Sequence, residues 1–62
     1  MTTEGDYEIF VRLGTHELLL MTGIGLATAN AHARLVAWSK RLVVHVRSTT
    51  TGEIAAVCAP KS

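Results

Sequence analysis

The chain carries a single cysteine, Cys58, a single proline, Pro60, and one each of Phe, Trp and Tyr. One cysteine excludes a disulfide within the chain, and a lone thiol fits a reducing compartment. The scarcity of aromatics removes the stacking platforms on which single-stranded nucleic acid is usually held. Acidic residues are missing from the whole interval between Glu17 and Glu53, which instead holds Arg34, Lys40, Arg41 and Arg47 with His32 and His45. The middle of the chain is therefore locally basic, although the net charge is only +1. Long apolar runs are also missing. The strongest, Leu18 to Met21, is far short of the ~18 residues of a helical membrane span. Nor does the polar, acidic start have the basic and apolar regions of a secretory signal, so a cytoplasmic location is expected.

Against these absences, 48% of the residues are hydrophobic and only 18% are charged. Globular chains average about 25% charged residues. A chain of 62 residues is one domain, and a domain of that size buries only about 60% of its unfolded surface. Disulfides, a metal or oligomerisation ordinarily make good the deficit. The first is excluded. The three histidines, His16, His32 and His45, lie too far apart for the short-spaced ligand pairs of zinc motifs. No metal or cofactor is expected, and self-association remains.

Period-two alternation predicts a strand over Asp6–Leu13, with Tyr7, Ile9, Val11 and Leu13 on one face and Glu8, Phe10 and Arg12 on the other. Gly14-Thr15 reads as a two-residue turn into a second strand, His16–Thr22. Gly23-Ile24-Gly25 breaks that strand. Leu26–Lys40, rich in Ala and Leu and free of Gly and Pro, reads as a helix, with Thr28 as a possible cap. Strands over Arg41–Ser48 and Glu53–Ala59 flank a turn at Thr49–Gly52. The expected fold is a single α+β domain, ββαββ, over residues 1–62, with residues 1–5 mobile.

At about 100° per residue the helix shows two apolar stripes. One carries Ala27, Ala31, Leu35 and Trp38, the other Leu26, Ala29, Ala33, Val36 and Ala37. The last three strands read as apolar on both faces. One helix cannot cover both faces of such a sheet, and the remainder would exceed the apolar patch a monomer exposes. A second copy of the chain is the expected cover. Leu35 and Trp38 are expected to face the chain's own sheet. Ala29, Ala33, Val36 and Ala37 are then the candidate oligomer interface.

The segment Gly23-Ile24-Gly25-Leu26-Ala27-Thr28 resembles the opening of a dinucleotide-binding turn. Thr28 stands where the third Gly belongs, no carboxylate ends the next strand, and the chain is too short for the repeated units of that fold. A turn between strand and helix is the better reading. Cys58, between Val57 and Ala59, reads as a small buried hydrophobe, not a nucleophile. The carboxylates form no acid/base pair, and no catalytic residue is assigned. Asn30, Arg34, Lys40, Arg41 and Arg47 are the candidate contacts for a partner or a nucleic acid.

These residues predict a non-enzymatic, small homo-oligomeric protein-binding or adaptor/regulatory module, of the phage-type accessory kind. Its partners would be itself and another protein, with no membrane. The alternative is a small nucleic-acid-binding module using the basic lane, although dedicated binders usually have an isoelectric point above about 9.

Overall fold

The computed structural model describes residues 6–60, so the expected mobility of residues 1–5 lies outside the described residues. Its elements are β1 (Tyr7–Leu13), β2 (His16–Ile24), α1 (Leu26–Lys40), β3 (Val44–Ser48) and β4 (Ile54–Cys58). The four strands form one antiparallel sheet in the order β2-β1-β3-β4. The helix crosses from edge strand β2 over β1 and enters β3, and packs on one face of the sheet. This is the expected α+β fold.

Local chemistry explains the joints. Leu13 pairs with His16 across Gly14-Thr15. Gly14 has φ +67° and Thr15 does not have positive φ, which matches the primed turn that takes Gly at its first central position. The second hairpin closes at Ser48, whose N–H donates to the Glu53 carbonyl at 2.9 Å, while the Gly52 N–H donates to the Ser48 carbonyl at 2.8 Å. The helix spans the expected residues, but its N-cap is Gly25 and no side chain caps it. Thr28 lies inside the first turn. β2 runs on through Gly23 to Ile24, and β3 starts only at Val44.

The late start of β3 follows from Arg41. It ends the helix in the left-handed region, φ 58° and ψ 46°, and the Leu42 N–H closes back on the Ala37 carbonyl at 3.2 Å. Left-handed backbone costs a residue with a Cβ roughly 1–2 kcal/mol, and glycine is the usual occupant of such a position. Glycine also loses more chain entropy on folding. Arg41→Gly is therefore expected to stabilise the fold by about 0.5–1 kcal/mol, read as a raised urea midpoint with unchanged slope.

The core lies between α1 and one face of the sheet. Ile9, Val11, Val44 and Val46 supply the sheet side, and Ala29, Ala33 and Ala37 supply the helix side, all at most 1% exposed. This reverses the expected assignment of stripes. The small stripe faces the chain's own sheet, while Leu35 and Trp38 are 63% and 48% exposed. The reason is volume. The sheet presents β-branched residues across two neighbouring strands, and large residues pack best against small ones. Alanine lets the helix approach this layer, so Ala29, Ala33 and Ala37 are closed to a partner chain. Val36, the fourth expected interface residue, is half-buried.

Candidate functional site

The helix leaves the β2 side of its own sheet face uncovered. A groove of about 380 Å³ runs there, floored by Ile9 and Val11 of β1 and by Leu18, Leu20 and Met21 of β2. Val36 and Lys40 form its helix wall, with Leu13 and Leu42 completing the lining. Register explains the breadth of this floor. Leu18 pairs with Val11 and Met21 pairs with Ile9, with a register shift between Ile9 and Phe10. A bulge of this kind turns an extra side chain toward one face. Leu18, Leu20 and Met21 thus share the helix side, and Leu19 pairs with Phe10 on the other face. The groove's volume falls within the roughly 300–1,000 Å³ usual for binding clefts. Lys40 is its one charged lining residue.

The far face of the sheet has no helix, yet Phe10 is fully buried there. Its cover is made locally by polar side chains. His45 of β3 stacks on Phe10 with ring centroids 5.0 Å apart and planes 15° apart. The Arg47 guanidinium lies 4.2 Å from the Phe10 ring centroid, and that of Arg12 lies 5.8 Å away. A cation within about 6 Å of a ring face is attracted by its quadrupole. Arg47 is held in place by Glu8, to which Nε and Nη2 both come within 2.5 Å of Oε2. Its Nη1 also donates to Glu17 at 3.3 Å, and Arg12 lies 3.7 Å from Glu17. The Glu8 hydrogen bond, assisted by the charges of Glu8 and Glu17, raises the Arg47 pKa above its ordinary value. The face expected to need a second chain is thus partly closed from within. Periodicity placed Phe10 and Glu8 on this face. It did not pair them with Arg47, which is 39 residues from Glu8 in sequence.

The five candidate contact residues do not converge. Arg47 sits beneath the sheet and is engaged by carboxylates. Lys40 borders the groove on the β2 side. Asn30, Arg34 and Arg41 share one side of the helix by their spacing, and Arg34 and Arg41 are exposed. The Asn30 Oδ1 is buried and, among the described residues, has no hydrogen-bond partner. The basic lane is thereby reduced to Arg34 and Arg41. Among the described residues no three His, Cys, Asp or Glu side chains, His16, His32, His45 and Cys58 included, are grouped as metal ligands.

The Gly23–Thr28 segment is the end of β2 and the start of α1. Gly23 has φ +73°, and Gly25 offers its carbonyl to the Ala29 N–H at 2.8 Å. These glycines turn the chain. Among the described residues no helix is long and apolar enough to cross a membrane. Comparison with protein-family models, with curated proteins and with solved structures finds no match to this chain.

Proposed function

We propose that this chain is a non-enzymatic, homo-oligomeric protein-binding module that works through apolar surface its own helix leaves open. The observation that carries this reading is the groove between α1 and β2, whose residues Leu13 and Leu18 are 49% and 51% exposed. The outer helix stripe adds Leu35 and Trp38. Contiguous apolar surface on a small soluble domain ordinarily marks a site of association. A nucleic-acid role draws less support, because Arg47 is turned to the far face and paired with Glu8 and Glu17.

Leu18→Asp tests the reading. Leu18 is half-exposed on an edge strand, so the fold should survive while association through the groove weakens at least tenfold. Light scattering at micromolar concentration should give a mass near twice 6.7 kDa or more for the parent chain. Binding that weakens steeply with added salt would favour phosphate contacts over apolar ones. A folded monomer throughout that range, with no change on Leu18→Asp, would remove the proposal.

A further inference from the structure

We propose that the groove between α1 and β2 binds a small amphiphile, one aliphatic chain ending in a carboxylate, with Lys40 meeting the carboxylate. The inference goes beyond the association reading: it concerns the same groove but stands on the groove's own shape and charge.

Shape and polarity select the chain. Floor and helix wall are apolar except for Lys40, and the volume of about 380 Å³ lies at the small end of the range for small-molecule clefts. The two ends of the groove differ. At the inner end Ile9 is fully buried, with Met21 and Val36 partly buried beside it. At the outer end, next to the Gly14-Thr15 turn, Leu13 and Leu18 are about half-exposed. From Ile9 to Leu13 the strand spans roughly 13 Å, the reach of a medium-length alkyl chain. Such a chain would take the place of water on the exposed leucines, which is the favourable term for apolar ligands.

Charge selects the head. Val44, shortly after α1, pairs with Val11, so the helix ends toward the turn and sets Lys40 by the outer end. Lys40 is exposed and is the one charged residue of the lining. A lysine so placed covers apolar wall with its stem and keeps its ammonium in water at the mouth. Among the described residues it has no carboxylate partner. Glu17, next to Leu18 in β2, is engaged by Arg12 and Arg47 instead. A cleft whose charge is of one sign draws ligands of the other. One ammonium matches one singly charged head, and a carboxylate both supplies that charge and accepts charge-assisted hydrogen bonds.

Decanoate, decanol and decyltrimethylammonium carry similar chains and differ in the charge of the head. Each is titrated as a monomer in solution, below any micelle or phase separation, and followed by the protein's methyl and indole NMR shifts. Decanoate should bind most tightly, shift the methyl groups of Leu18, Leu20, Met21 and Val36, and leave the Trp38 indole on the outer stripe unmoved. Octanoate should bind on the order of tenfold more weakly than decanoate, since each methylene contributes about fourfold. Lys40→Glu, at an exposed position, should keep its circular dichroism and invert the order, favouring decyltrimethylammonium over decanoate. Equal affinity for the three heads, or an order unchanged by Lys40→Glu, overturns the role of Lys40 and the anionic ligand with it. Absence of decanoate binding, while Leu18→Asp still weakens self-association, overturns this inference and leaves the groove to a second copy. Decanoate bound in the groove of a folded monomer supports this inference and overturns the oligomeric reading.

Discussion

Ala33→Arg is expected to abolish folding of the isolated chain, whatever its oligomeric state. Ala33 is fully buried between Ala29 and Ala37 on the face of α1 that meets Ile9, Val11, Val44 and Val46. An arginine there must either bury an unpaired guanidinium or push the helix off the sheet. Leaving a buried charge without its partner costs roughly 3–5 kcal/mol. At about 0.05–0.15 kcal/mol per residue, the whole stability of a domain this size is only about 3–9 kcal/mol. Far-ultraviolet circular dichroism should show loss of the cooperative transition. Trp38→Ala is the informative contrast. Its side chain is half-exposed on the outer stripe, so the variant should remain folded and lose less than about 2 kcal/mol, below the 3–5 of a buried Trp. A folded Ala33→Arg chain would show that the helix does not pack through its alanine stripe.

Arg47→Ala is expected to cost about 2–3 kcal/mol, the second largest effect. Three contributions are lost together: the cation over Phe10, the paired hydrogen bonds to Glu8, and the bond to Glu17. A cation–π contact contributes about 0.5–2 kcal/mol, and hydrogen bonds to charged groups about 1.5–3. The ion pair is largely shielded, with the Glu8 side chain 16% exposed, so added salt should screen it less than a surface pair. Arg47→Lys should recover little, because an ammonium cannot both lie flat on the ring and reach Glu8 through two nitrogens. Arg34→Gln, on the exposed helix surface, should change stability by less than about 0.5 kcal/mol. Urea unfolding of the three variants decides the matter. An Arg47→Ala chain as stable as Arg34→Gln would return Arg47 to the solvated basic residues.

The order ββαββ, the Gly14-Thr15 turn and the helix Leu26–Lys40 were all legible in the sequence, because each rests on chemistry within a few residues. Alternation set β1, glycine with its free φ set the turn, and a run without Gly or Pro set the helix. The errors of extent have local causes as well: Arg41 takes a left-handed backbone usually left to glycine, so β3 begins three residues late. The presence of two apolar helix stripes was also legible. Which stripe faces the sheet was not, since periodicity marks a face and does not say what volume stands opposite. Only the assembled sheet decided that, by setting Ile9 and Val11 beside Val44 and Val46 and burying the alanine stripe against them. The far face was decided in the same way. Arg47 read as a free cation in the sequence, and antiparallel pairing of β1 with β3 brought it onto Phe10 and Glu8. Such contacts depend on the register between distant strands, which tertiary packing sets and local pattern does not encode.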